Sequence, residues 1–186
     1  MEDKMTSTDT MTRLPVGTWT LDPVHSTIGF EVEYLVGTFR GQFRDVDGRL
    51  AVGDDGSATL EGSARVASVD VKDEQLAAHL QTPDFFDAER FPELRFLAEG
   101  FDVSGGEVRA EGELTIKGVT KPVAFVGTVT PPSEDPFGRT RTGAVLTAKV
   151  DRHDFGVSWN TPLPGGDKAL ADEVAINAEL FFTAQD

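Results

Sequence analysis

Apolar and polar residues alternate along most of the chain, which predicts β-strands with one buried face. The segment 27–34 is a clear example, because Ile28, Phe30, Val32 and Tyr34 fall on one face and polar or small residues on the other. The same alternation recurs at residues 39–43, 46–52, 60–66, 94–98, 108–116, 123–129, 144–150 and 174–182. Short turns rich in Gly, Asp and Ser separate most of these segments, which is typical of antiparallel strands.

One segment alone has helical spacing. Leu76 and Leu80 lie four residues apart, Asp73 can cap the helix, and Thr82-Pro83 ends it or begins a new turn. Because crossover helices are missing from the rest of the pattern, a parallel βαβ sheet is excluded, and a closed barrel or a sandwich is favoured.

Small residues on the predicted inner faces favour the barrel. Gly41, Gly48, Gly62, Gly112 and Gly127 interrupt runs of Phe, Val and Leu. Glycine permits the sharp coiling that closes a sheet, and an eight-stranded barrel has room for one ligand. We therefore expect an all-β fold, an antiparallel β-barrel of about eight strands with one short helix.

The first residues of the chain differ from the rest. Residues 1–16 are polar and aperiodic, which predicts a disordered N-terminal leader followed by one domain over residues 17–186. They also lack the basic start and apolar stretch of a secretory signal, and no later run is long enough to span a bilayer. We therefore expect a cytoplasmic protein without stable membrane insertion.

Composition narrows the classes of partner and chemistry. The chain carries 17 Lys and Arg against 32 Asp and Glu, a formal charge of −15. Such a field repels phosphate backbones, so nucleic acid is not expected as a partner. The chain has no cysteine, which excludes disulfides, thiolate metal sites and cysteine nucleophiles.

Six blocks of sequence, in this order, resemble the YceI-like family. They are WTLDPVHS (19–26), FRGQF (39–43), HLQTPDFFD (79–87), FPELRF (91–96), GELTIKGVTKP (112–122) and RHDFG (152–156). The resemblance implies a lipocalin-like barrel, commonly dimeric, whose apolar tunnel holds a polyisoprenoid or similar long-chain amphiphilic lipid, with no cofactor. The family often has a histidine where this chain has Tyr34, so a phenol would meet the ligand there.

The predicted ligand-binding residues form two groups. The apolar wall of the tunnel consists of Phe30, Val32, Phe39, Phe43, Leu114, Ile116, Phe125, Leu146, Leu180 and Phe182. These side chains can equally pack against one another and fill the barrel. At the rim we expect Tyr34, Arg152, His153 and Trp159 to meet the polar end of the ligand. Phe85 and Phe86 either cover the mouth or plug the base, and the loop 160–167 is either a flap or a passive connector.

Signals for catalysis and metal binding are weak. His25, His79 and His153 have no metal-ligand spacing, and the chain has neither a nucleophile elbow nor a phosphate-binding glycine loop. We therefore predict no catalytic residues and no metal. The leading hypothesis is non-catalytic storage or transport of a polyisoprenoid or fatty lipid by a homodimer. The alternatives are an enzyme acting on a lipid or isoprenoid-quinone-like substrate, and a solidly filled structural module.

Overall fold

The computed structural model describes residues 14–186, apart from the side chains of Asp102 and Ser104. Residues 1–13, most of the predicted leader, lie outside the described part. The strands are β1 Gly17–Leu21, β2 Thr27–Tyr34, β3 Gly37–Phe43, β4 Val46–Val52, β5 Ala58–Arg65, β6 Val69–Asp70, β7 Glu93–Glu99, β8 Asp102–Ser104, β9 Glu107–Ile116, β10 Val119–Glu134, β11 Thr140–Asp151 and β12 Leu170–Ala184. One α-helix, α1 Glu74–Leu80, and two 3₁₀ turns, Val66–Ser68 and Arg152–Phe155, complete the described elements.

Eight strands close into a barrel. Their order is β1-β4-β5-β7-β9-β10-β11-β12, every neighbouring pair is antiparallel, and β12 pairs back with β1. The 15-residue strand β12 pairs with β1 near its end and with β2 over residues 170–179, so β2, β3 and β6 extend the sheet along one side. The predicted all-β, lipocalin-like barrel is confirmed.

One glycine and a pair of prolines shape the strands. Gly100 has φ +71°, a left-handed conformation that glycine adopts without steric cost, and it separates β7 from β8. Along the sequence the apolar positions change phase here, from Phe96 and Ala98 to Phe101 and Val103, and the structure has a break between two strands at this point. Strand β10 continues past Pro131 and Pro132, where its register against β11 shifts between Thr130 and Ser133.

One end of the barrel is filled by its own side chains. Trp19 is only 1% exposed, and its indole Nε1 donates to the carbonyl of Pro15 at 3.3 Å. We call this region the packed end, and its buried residues are Trp19, Leu50, Ala58, Ala98, Val108 and Ala110. A core that combines one large indole with small alanines matches large and small side chains, as close-packed interiors do.

Helix α1 forms as its sequence predicts. The carboxylate of Asp73 accepts the backbone N–H of Leu76 at 2.9 Å, and the chain leaves the helix after Leu80. Among residues 14–186 no helix has the length and apolar content needed to cross a bilayer.

Candidate functional site

The opposite end of the barrel encloses a cavity of about 320 Å³. Its wall is almost entirely aliphatic and aromatic, and α1 and the loops after it supply part of the lining. Every predicted ligand-binding residue except His153 lines this cavity: Phe30, Val32, Tyr34, Phe39, Phe43, Leu114, Ile116, Phe125, Leu146, Trp159, Leu180 and Phe182. Period-two alternation places all of these side chains except that of Trp159, which lies in a loop, on the inner surface, where they can contact an apolar ligand.

Aromatic rings occupy part of the space inside the barrel. Phe30 packs against Phe39, Phe43 and Phe86, with ring centroids 5.9–6.1 Å apart. The remaining void lies near the lower end of the range of about 300–1,000 Å³ that is usual for small-molecule sites. Both sequence interpretations of these residues therefore apply, since the rings pack against one another and also border an open cavity.

The inner-face glycines differ in what they contribute to this space. A Cβ atom at Gly41 would lie 2.6 Å from Cζ of Phe30, and one at Gly112 would lie within 2.9 Å of the backbone of β7. These glycines let neighbouring groups approach closely. A Cβ atom at Gly62, in contrast, would meet no heavy atom within 4 Å. Among the five inner-face glycines, Gly62 alone therefore borders open space.

A cluster of three rings covers the helix side of the cavity. The imidazole of His79 stands edge-on to Phe85 and to Trp159, with centroids 5.0 and 5.4 Å away, and Phe85 lies 5.3 Å from Trp159. His79 Nε2 also lies 2.9 Å from a carboxylate oxygen of Asp84. We call His79, Phe85 and Trp159 the ring cap. Phe85 and Phe86 thus both line the cavity, Phe85 within this cap and Phe86 against the rings of β2 and β3.

Arg152 is buried beside the cavity, although its sequence position predicted a cation at the rim. Its side chain is 4% exposed, and its guanidinium donates to the carbonyls of Ala171, Val157 and Trp159 at 2.7–2.8 Å. Burial lowers the pKa of Arg152, and the carboxylates of Asp172 and Asp151 partly offset this effect. The expectation of a free cation at the rim is therefore wrong, because this guanidinium donates to backbone carbonyls. These hydrogen bonds hold the chain after the 3₁₀ turn in place.

His153 lies outside the cavity wall. Its side chain is on the surface, and Nε2 lies 2.8 Å from a carboxylate oxygen of Asp172. The hydrogen bond from His153 lowers the pKa of Asp172. The neighbouring 3₁₀ turn directs Arg152 inward and His153 outward, a difference that no period in the sequence reveals.

The three histidines do not converge on one site. His25 pairs with Asp22 at 2.7 Å, while His79 and His153 each pair with a different aspartate. Within residues 14–186, no group of three or more metal-ligating side chains comes together.

Sequence reasoning found Trp159, Phe85 and Phe86 but missed several other cavity residues outside the regular strands. The structure adds Leu76, His79 and Leu80 from α1, and Phe155 and Val157 from the segment after β11. A signal for the helix was present, since Leu76 and Leu80 share one helical face. The direction in which that face points depends on tertiary packing and could not be read from the pattern.

Lipocalin-like proteins that enclose an apolar cavity in an antiparallel barrel are the class that this fold and site define. Within that class the chain belongs to the YceI-like domain family, whose model matches residues 19–182. Similar proteins include a UPF0312 protein of Staphylococcus aureus (strain MSSA476), 28% identical over 172 residues that cover 90% of this chain and 98% of the relative.

Solved structures share the fold. BcnA of Burkholderia cenocepacia superimposes with a TM-score of 0.72 at 22% identity, covering 87% of this chain and 98% of BcnA. A polyisoprenoid-binding domain from Saccharophagus degradans, implicated in plant cell wall breakdown, gives a TM-score of 0.68 at 13% identity and covers 90% of this chain and 98% of that domain. At these identities the likeness establishes the barrel.

Proposed function

We propose that this protein binds a single long apolar chain, an isoprenoid or similar lipid, in the barrel cavity without changing it chemically. The observation that carries the proposal is the enclosed cavity with its aliphatic and aromatic wall. Membership of the YceI-like family and the likeness to a polyisoprenoid-binding domain support the same class of ligand.

An apolar wall of this kind selects ligands by their length and thickness. Each buried methylene of a ligand contributes about 0.8 kcal/mol, and that contribution needs no directional partner. The cavity is small for a long polyisoprenoid, so such a chain requires the rings of Phe30 and Phe86 to move aside. Affinity should therefore rise with chain length and level off once the lumen is full.

Two ionisable groups at the cavity help to hold its wall in place. The guanidinium of Arg152 donates to backbone carbonyls, and the imidazole of His79 is paired with Asp84. Arg152 is thereby fixed in the wall and His79 in the ring cap. The aliphatic and aromatic wall, which offers an apolar chain extensive contact, is the feature that favours binding.

The test begins with the lipid that leaves the purified protein in organic solvent, identified by mass spectrometry. Native mass spectrometry of the intact protein then measures binding of added geranylgeraniol. A prenyl or acyl lipid released unchanged is the expected result. A chemically altered prenol after incubation would instead favour the enzyme hypothesis.

Gly62 offers a direct way to fill the cavity. Gly62→Leu places a side chain in open space, and Gly62→Ala provides a smaller step in the same position. We expect geranylgeraniol binding to weaken at least about tenfold for leucine and less for alanine, because each displaced ligand methylene loses its burial. Glu113→Leu, at an exposed position of β9 that does not line the cavity, is the control. Binding that is equal in all three variants would overturn the proposal.

The homodimer and the cytoplasmic location stay predictions of the sequence. Sedimentation equilibrium of the full chain measures the first, and fractionation of the source cells measures the second.

A further inference from the structure

The hairpin between β2 and β3 ends in apolar side chains that lie in water. Leu35 is 55% exposed and Val36 is fully exposed, while the neighbouring Tyr34 is 39% exposed. No charged residue occurs from Tyr34 to Phe39. We call residues 34–37 the hairpin tip. Contiguous exposed apolar residues are uncommon on monomers and usually mark an interaction surface.

The backbone conformation of the tip is unusual for an aliphatic residue. Leu35 has φ +51°, a left-handed conformation in which Gly, Asn or Asp would cost less. A two-residue hairpin turn between the partners Tyr34 and Gly37 normally carries such residues. The N–H of Leu35 also donates to the carbonyl of Ala169 at 3.0 Å, which holds the tip in place. Leucine here gives the fold neither a relaxed turn nor a buried side chain.

The tip is continuous with the cavity. Tyr34 lines the cavity, and it pairs with Leu170 of β12, another residue of the wall. Leu35 and Val36 therefore project from the same end of the barrel as the most exposed aromatic residue of the lining. A lipid that enters or leaves beside Tyr34 would cross little water if this tip touched a lipid surface.

We propose that the hairpin tip docks on a neutral lipid surface and that the ligand is loaded and released there. This inference rests on the proposed lipid-binding function. The partner is a zwitterionic bilayer, since a protein with a formal charge of −15 is repelled by anionic headgroups. Partial insertion of two aliphatic side chains gives weak, reversible attachment, as suits a carrier that must leave the surface again.

Other large apolar residues on the surface lack these features. Phe137 is 82% exposed in the turn between β10 and β11, but it stands between Pro136 and Gly138 and does not line the cavity. It therefore serves as a matched control for exposed apolar area.

The experiment is flotation of the full chain with phosphatidylcholine vesicles. The test variant is Leu35→Asn with Val36→Ser, since asparagine tolerates the left-handed conformation and neither side chain lines the cavity. We expect vesicle binding to fall about tenfold or more, because burial of both aliphatic side chains is lost. The midpoint temperature of thermal unfolding of this variant should be unchanged or higher, and its binding of geranylgeraniol in solution should not change. Phe137→Ser should float like the unaltered protein.

Several results would overturn the docking proposal. They are equal flotation of the tip variant and the unaltered protein, an equal loss in Phe137→Ser, and binding that requires phosphatidylglycerol. A dimer in sedimentation that the tip variant dissociates would assign the tip to a second copy of the chain instead. Failure of flotation with normal prenol binding rejects docking alone, whereas flotation without any prenol binding rejects the proposed function and leaves docking standing.

Discussion

The two ends of the barrel share several strands, and β2 and β3 contribute only to the hollow end, so the two ends are filled differently. At the packed end, the buried core contains Trp19 together with small residues such as Ala98 and Ala110, both of which are completely buried. At the hollow end, large rings such as Phe30 face one another around a void. Alternation therefore decides which side chains point inward, and the match of large with small residues decides whether the interior is solid.

This division separates stability from binding. Complementary packing at one end provides the burial that holds the barrel closed. The other end then tolerates open space and half-buried rings, which cost stability but admit a ligand. The predictions below test this contrast.

Trp19→Ala should give the largest loss of stability. Removing the indole leaves a void among closely packed residues, and the free energy of unfolding should fall by about 3–5 kcal/mol. Urea denaturation followed by circular dichroism measures the change. Trp19→Phe, which retains most of the volume, should lose less, and a similarly small loss for Trp19→Ala would show that the packed end is not the main source of stability.

Arg152→Met should be the next most damaging change, although it lies at the hollow end. The methionine retains much of the apolar stem but leaves several buried carbonyls without a donor, and the loss should be about 2–4 kcal/mol. Chemical denaturation gives this value. The stability of Arg152→Lys should lie between those of the unaltered protein and Arg152→Met, because one ammonium cannot reach the carbonyls of Val157, Trp159 and Ala171 together. A neutral effect of methionine would contradict the structural role of the guanidinium.

Phe39→Ala should cost less than half as much as Trp19→Ala. Phe39 is half-buried and borders open space, so its removal creates little new cavity, and about 1–2 kcal/mol is expected. The enlarged lumen should still bind geranylgeraniol, as native mass spectrometry can show. Equal losses of stability for Phe39 and Trp19 would remove the distinction between the two ends.

Acid should weaken the ion pairs that Arg141 makes with two aspartates, and the resulting loss of stability should be smaller than the losses above. Arg141 bonds Asp22 at 2.9 Å and Asp135 at 2.7 Å. Burial raises the pKa of Asp22, but hydrogen bonds from His25, Arg141 and backbone N–H groups outweigh it and lower the pKa to about 2. The hydrogen bond from Arg141 is the largest cause that lowers the pKa of Asp135 to about 2.

Because these folded-state pKa values lie below the ordinary value of 3.8, the stabilisation is present above that pH and is lost as the pH falls towards 2. Urea midpoints measured between about pH 5 and pH 3 should therefore fall less steeply in Arg141→Met than in the unaltered protein. Identical slopes would show that the three side chains are not coupled in solution.

Much of the fold could be predicted from the sequence, because period two is a local signal. Strands β2, β4 and β9 follow the alternation closely. Strand β1 was not separately predicted, although Trp19 and Leu21 alternate with threonines, and β6 has only two residues. The alternation predicted this strand only over residues 123–129, whereas β10 continues past Pro131 and Pro132 with a register shift against β11.

The cavity residues could be predicted from the sequence where they lie on strands, but not where they lie in loops. Alternation fixes the inward direction of Phe30 or Leu180 whatever their neighbours are. The opposite directions of Arg152 and His153 follow from a short 3₁₀ turn and from carbonyls of residues 157–171, which only the folded chain brings together. The size of the void also depends on how rings from distant strands meet, and composition does not encode that.

The edge of β12 is shared between two strands. Residues 182–184 of β12 pair with β1, while residues 170–179 pair with β2, and residues 22–26 connect β1 to β2. The ring of strands around Trp19 therefore closes without β2 and β3. Substitutions on β2 and β3 should change the wall of the cavity while the pairing of β1 with β12 keeps the barrel closed.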